Sequence, residues 1–182
     1  MTHLLLMRHA KSDWTDAVLE DHERPLNDRG RRDAPRMGRL LAAEGLMPDL
    51  VVCSTAVRAR QTLEGLTAGG GLGEAGHAAV VHEASLYLAT PGTILAVARA
   101  AVAGTGAGVA AGDPERVLLI GHNPGMEQLA SRLAGRFVRF PTATIAACEL
   151  TATGWDDLDA GGGVRGVRVF RPKELPAESG GG

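Results

Sequence analysis

Two histidines and two arginines carry the clearest chemical signal in this sequence. Arg8 and His9 follow directly on an apolar run at 4–7. Arg58 closes Ser54-Thr55-Ala56-Val57-Arg58 after a run at 50–53, and His122 lies in Gly121-His122-Asn123-Pro124 after a run at 117–120. Arginine presents a planar fork of donors that matches phosphate oxygens and stays charged at physiological pH. Two such forks would neutralise the equatorial oxygens of a transferring phosphoryl group, where catalysis is mostly positioning and electrostatics. A neutral imidazole is a competent nucleophile that forms a phosphoramidate, later attacked by water. Nearby guanidinium charge disfavours imidazolium and helps to keep His9 nucleophilic. His122 would hydrogen-bond a phosphoryl oxygen. Carboxylates are sparse in these segments, so no metal ligand set emerges, and the chemistry indicated is recognition of a compact dianion.

Taken singly, each residue has a plainer reading. His9 would be a structural or surface histidine, Arg8 a solvated charge, His122 a turn residue, and Arg58 with Arg60 an exposed helix face. Only their coincidence after strand-length runs marks a site. His3 falls at the wrong end of the first run, and His77 and His82 flank another as surface or lining residues. Asp21, His22 and Arg24 follow the first segment, and their distance from the site is open. Trp14 and Tyr87 read as core packing ahead of pocket walls.

For these side chains to meet, their segments must open at one edge of a sheet. In open α/β sheets, ligands bind outside the carboxyl ends of the strands. Short apolar runs do alternate with helical patterns, as in an α/β fold. The pattern predicts strands at 4–7, 50–53, 77–82, 117–120, 144–151 and 164–170, the last two as a hairpin around 161–163. Helices are predicted at 29–44, 56–66, 91–101 and 126–134. Pro25-Leu26-Asn27-Asp28 reads as a turn with an N-cap, and Gly45 as a stop. Pro35 conflicts with the first helix unless it sits in the first turn. Ser54 and Thr55 read as caps of the second helix, and Pro91 suits the first turn of the third. The Gly/Ala-rich stretches 68–76 and 103–115 read as loops. Gly104-Thr105-Gly106 follows a helix rather than a strand, so it is no dinucleotide fingerprint. Residues 1–171 are expected to form one domain and 172–182 a disordered tail.

With 182 residues the chain can bury a real core without disulfides or a structural metal. Hydrophobic content of 45% and charged content of 22% are those of a soluble globular protein. A net charge of −2 and 3% aromatics leave neither a basic field nor a stacking platform, which sets aside nucleic acid and anionic membrane as partners. Cys53 and Cys148 lie far apart in apolar runs and read as reduced, buried thiols rather than zinc ligands. The apolar run at 4–7 is too short for a signal-peptide core or a membrane span, so a cytoplasmic protein is expected.

Leu6-Met7-Arg8-His9-Ala10-Lys11-Ser12 resembles the RHG-type signature of the histidine phosphatase superfamily, which includes phosphoglycerate mutases and acid phosphatases. Ser54-Thr55-Ala56-Val57-Arg58-Ala59-Arg60-Gln61-Thr62 and Gly121-His122-Asn123-Pro124 resemble its second and third motifs, in the same order and at similar spacing. The Arg-His-Ala-Lys-Ser start, Arg24-Pro25-Leu26-Asn27 with Arg29-Gly30, and His122-Asn123-Pro124-Gly125 resemble the small SixA-type phosphohistidine phosphatases. This resemblance implies a phosphoglycerate mutase-like three-layer α/β/α sandwich around a mostly parallel sheet. It also implies His9 as nucleophile, Arg8 and Arg58 as phosphate ligands, His122 as the second pocket histidine, and neither metal nor organic cofactor.

Two departures accompany it. Ala10 stands where many relatives have glycine. Mutase-like relatives carry a glutamate general acid two residues after a leucine that follows the third strand, whereas Leu86-Tyr87-Leu88 places an apolar residue there, and Glu83 falls on the wrong offset. An alkoxide leaving group needs that proton, while the imidazole of a P–N bond leaves readily. The expected substrate is therefore a phosphorylated protein histidine, such as a phosphotransfer domain. A small phosphate monoester is the alternative, supported if Glu83 or Asp21 reaches the pocket, and a phosphate-binding module without catalysis is the rival from another class.

Overall fold

Three of the predicted strands, at 4–7, 50–53 and 117–120, form the middle of one sheet. The computed structural model describes residues 1–72, 78–104, 114–151, 155, 158–159 and 163–176. Its strands are β1 (His3–Arg8), β2 (Leu50–Ser54), β3 (Ala79–Glu83), β4 (Arg116–Gly121), β5 (Ile145–Leu150) and β6 (Val164–Phe170). Its helices are α1 (Asp28–Ala43), α2 (Val57–Ala68), α3 (Pro91–Gly104) and α4 (Gly125–Leu133). The sheet order is β3-β2-β4-β1-β5-β6. The first four strands pair in parallel, while β5 runs antiparallel to both β1 and β6.

Side chains alternate across a strand, so each central strand feeds two cores. Leu4, Leu6, Val52, Val117 and Leu119 pack with Ile94, Leu95 and Ala98 of α3 and Met126, Leu129 and Ala130 of α4. Leu5, Met7, Val51, Leu118 and Ile120 pack on the other face with Ala34, Met37 and Leu41 of α1 and Ala59, Leu63 and Leu66 of α2. The result is the expected α/β/α sandwich with a mostly parallel sheet. Cys53 and Cys148 are both free and buried, and burial pushes each thiol up to about 12. Among the described residues no helix is long and apolar enough to cross a membrane.

Local signals worked where they were self-contained. The Asn27 side chain caps α1 by accepting from the Gly30 N–H at 3.0 Å. Gly45 ends that segment at φ 65°, the left-handed conformation glycine tolerates. They failed where another element intervened. Pro35 lies inside α1, well beyond the first turn, and its ring packs beside Gly65 of α2, so helix–helix contact holds the turn across the missing N–H. Ser54 and Thr55 do not cap α2 as expected. The N-cap is Ala56 without a side-chain bond, because the two hydroxyls are engaged by His122 and His22.

The start of the presumed tail is structured. Pro172–Glu174 forms a 3-10 turn with Pro172 buried, and Arg36 of α1 donates to the Leu175 and Pro176 carbonyls. These bonds tie 172–176 to α1, whereas 177–182 lie outside the described residues. So do His77, 105–113 and most of the turn expected at 161–163.

Candidate active site

Parallel pairing of β1, β2 and β4 brings their carboxyl ends to one edge, with Arg8 opposite Gly121 and Cys53 opposite Ile120. The chain leaving β1 is fixed there by backbone bonds. The His9 N–H donates to the Gly121 carbonyl at 3.0 Å, and the Ala10 N–H donates to Thr62 Oγ1 at 2.9 Å. Thr62, one turn after Arg58, in turn donates to the Arg58 carbonyl at 2.6 Å, which ties the first motif to the second.

Arg8, His9, Arg58 and His122 all line one cavity of about 290 Å³. His9 Nδ1–H donates to the Ala10 carbonyl at 2.7 Å, which leaves Nε2 as the unprotonated nitrogen. Arg58 Nε donates to that Nε2 at 3.2 Å. His122 has the opposite tautomer. Its Nε2–H donates to Ser54 Oγ at 2.8 Å, and its Nδ1 accepts from Arg58 Nη2 at 3.3 Å. The two imidazole rings are 5.0 Å apart.

Arg58 is only 4% exposed and is held from a further side. Its Nη2 donates to Asp21 Oδ2 at 2.8 Å and its Nη1 donates to the Asp21 carbonyl. Tyr87 donates its hydroxyl to the same Oδ2 at 2.6 Å, with its ring edge-on to His122. Arg8 Nη1 donates to the Phe140 carbonyl at 3.1 Å, while Arg8 Nε is buried with no partner among the described residues. A buried N–H without an acceptor is costly, and an anion oxygen would satisfy it.

The electrostatics follow from this packing. Burial, reinforced by Arg58 and Arg8, pushes His9 down to about 3. Burial, then His9 and Arg58, pushes His122 down to about 3. Both rings are therefore neutral at neutral pH. The hydrogen bond from Tyr87, followed by Arg58, holds the Asp21 carboxyl below its usual range. Burial also lowers Arg8, opposed by Glu127.

Comparison with known proteins matches this arrangement. The profile of the histidine phosphatase superfamily (branch 1) fits residues 4–86. An uncharacterised protein of Mycobacterium tuberculosis is 36% identical over 169 residues, covering 85% of this chain and 93% of its own. The solved structure of a candidate phosphohistidine phosphatase SixA from Nakamurella multipartitia is 30% identical, with a TM-score of 0.70, and the match covers 94% of this chain and 96% of that one. The protein histidine phosphatase SixA complexed with tungstate is 25% identical, with a TM-score of 0.67, covering 96% of this chain and 100% of that one. The chain belongs to the histidine phosphatase superfamily.

Within this histidine phosphatase fold, residues the sequence left aside prove to be part of the site. Asp21, left open, lines the cavity and clamps Arg58. Tyr87 and Trp14 are not core residues. Tyr87 bridges Asp21 and His122, and Trp14 is 63% exposed at the cavity, with the Arg24 guanidinium 4.4 Å above its ring. Ser54 was mistaken for a cap, although a hydroxyl at a carboxyl strand end was the available signal. Glu83 does not reach the cavity, because its carboxylate accepts from the Ser85 N–H at 2.9 Å. Leu88 lines the cavity, 55% exposed at φ 50°. His82 is exposed on edge strand β3, and His3 begins β1 at the far end. Among the described residues no group of His, Cys, Asp or Glu is arranged to hold a metal.

Proposed function

We propose that this chain is a cytoplasmic, metal-independent phosphatase that removes the phosphoryl group from phosphohistidine on a protein, with His9 as nucleophile. The observation that carries the reading is the surroundings of His9 Nε2 among the described residues: two guanidiniums, a second imidazole and no protonated carboxyl group. The one carboxylate on the cavity, Asp21, is held ionised by Tyr87 and Arg58. Leu88 lines the cavity and stands where the resemblance to mutase-like relatives would put a glutamate acid. A substrate whose leaving group departs without that donor fits best. The likeness to a protein histidine phosphatase that binds tungstate supports the same substrate class.

The Nε2 electron pair of His9 attacks phosphorus as the P–N bond to the substrate imidazole breaks. That bond's electrons stay with the departing nitrogen, and a solvent proton already on the other ring nitrogen lets it leave as neutral imidazole. Arg8 and Arg58 take the phosphoryl oxygens. An arriving dianion lets His122 take a solvent proton on Nδ1, in place of the bond from Arg58, and donate it in a hydrogen bond to a phosphoryl oxygen. The proton returns to solvent when phosphate leaves. Water next attacks phosphorus, the P–Nε2 electrons return to His9, and the water proton leaves with phosphate or solvent.

The test is initial-rate hydrolysis of a phosphohistidine-bearing protein beside a panel of phosphate monoesters, with wild type and His9→Ala in parallel. Preference for the P–N substrate, lost in the variant to below about one part in a thousand, is the expected result. EDTA should leave the rate unchanged. Preference for a monoester would replace the substrate assignment, and phosphate binding without turnover would replace catalysis by a binding role.

A further inference from the structure

A second cavity, of about 650 Å³, adjoins the catalytic one and shares Arg8, Lys11 and Thr142 with it. Six cationic side chains line it: Arg8, Lys11, Arg29, Arg139, Arg171 and Lys173. The carboxylate on its wall, Glu174, is paired with Arg171 at 2.9 Å. Arg29 leans on Asp33 at 3.3 Å, but Lys11, Arg139 and Lys173 form no ion pair with any described residue. In a chain of net charge −2, this is a segregated positive field beginning at the catalytic rim.

The wall is built by a segment distant in sequence. Arg171 Nε and Nη2 donate to the Arg139 carbonyl at 3.2 and 3.1 Å, holding the 3-10 turn Pro172–Glu174 against the loop before β5. The cationic path does not stop there. A further cavity of about 570 Å³ shares Pro172 and Lys173 and runs onto α1 at Arg32, Arg36 and Arg39, while the carboxylate that lines it, Asp33, is paired with Arg29 and Arg36. From Arg29 to Arg39 the helix advances about 15 Å. This length exceeds what one small anion fills. No aromatic side chain lines either cavity, so bases would find nothing to stack on.

We propose that this groove binds an acidic stretch of polypeptide on the phosphorylated substrate, seating it beside the phosphohistidine. The inference deepens the function proposed above by adding a selection rule: the preferred substrate carries clustered Asp or Glu close to its phosphorylated histidine.

The probes are two fluorescent peptides, identical except that one carries a run of glutamates and the other glutamines around a central histidine. Each is used unphosphorylated for binding and phosphorylated for turnover. The glutamate peptide should bind about tenfold more tightly at low salt, as several exposed ion pairs acting together would give. The difference should vanish near 1 M salt, where the Debye length is about 3 Å. It should also vanish in the Arg139→Glu, Lys173→Glu double variant, since both side chains are exposed. Equal binding of the two peptides, or a preference that survives charge reversal, overturns the proposal. A single-stranded oligonucleotide that displaces the glutamate peptide at lower concentration overturns it in favour of nucleic acid. Binding and turnover separate the two readings. An acidic preference without P–N turnover keeps the groove and removes the phosphatase assignment, whereas turnover without preference does the reverse.

Discussion

The guanidinium of Arg58 donates to His9, His122 and Asp21, so one planar group sets the geometry of both imidazoles. Asp21 is itself held by the Tyr87 hydroxyl, so in the proposed mechanism Asp21 and Tyr87 serve as positioning residues for Arg58. Asp21→Asn and Tyr87→Phe should each lower kcat by about tenfold with a smaller effect on KM, as expected when a transition-state contact is loosened. Because both act on one carboxylate, the double variant should lose less than the product of the two effects, a result read from a double-mutant cycle on kcat/KM. That Arg8, His9, Arg58 and His122 meet at one cavity was legible because each sits in a short motif at a strand end. Asp21 and Tyr87 were not, since their contacts span 37 and 66 residues and no local pattern records such a meeting.

At the scale of elements, runs of apolar residues announced β1, β2 and β4 because a strand buried on both faces needs nothing else to be recognised. Edge strand β3 was harder: Val80 and Val81 are 44% and 43% exposed, and its start falls next to residues outside the described chain. Ser54 was misread because a hydroxyl before a helix commonly caps it, and only the arrival of β4 beside β2 reveals His122 as its partner. Helix α4 approaches the Leu86–Thr90 segment so closely that a Cβ on Gly125 would lie 1.9 Å from the Ala89 carbonyl oxygen. Gly125→Ala should therefore force the two apart and cost about 1–3 kcal/mol of stability, measured by urea unfolding. Since His122 and Tyr87 flank that contact, its activity should fall even under conditions where the variant remains folded.

For the molecule as a whole, the near-neutral charge concealed the most uneven feature of the surface. Composition excluded an overall basic field but could not reveal that cations from α1, the loop before β5 and the end of the chain collect on one side. Burial of two neutral imidazoles is likewise a property of the assembled protein. His9 and His122 fall from 6.5 to about 3 on folding, so below pH 6.5 the unfolded chain takes up protons that the folded one refuses. Stability is greatest above that point and should decline as pH falls from 6.5 toward 3. Urea unfolding at successive pH values checks this, and the slope should flatten when both histidines are replaced by asparagine. For the same reason kcat/KM should show no loss from His9 protonation between pH 7 and 5.

The groove wall at Arg139 and Arg171–Glu174 comes from a stretch of chain that follows every one of the four principal side chains at the reacting centre. The groove's other cations, Lys11, Arg29 and the α1 arginines, precede Arg58 and His122, so only this later wall lies apart in sequence from the side chains proposed to react. Descendants could inherit the proposed reacting groups unaltered while this wall drifts, and so acquire new clients without relearning the chemistry.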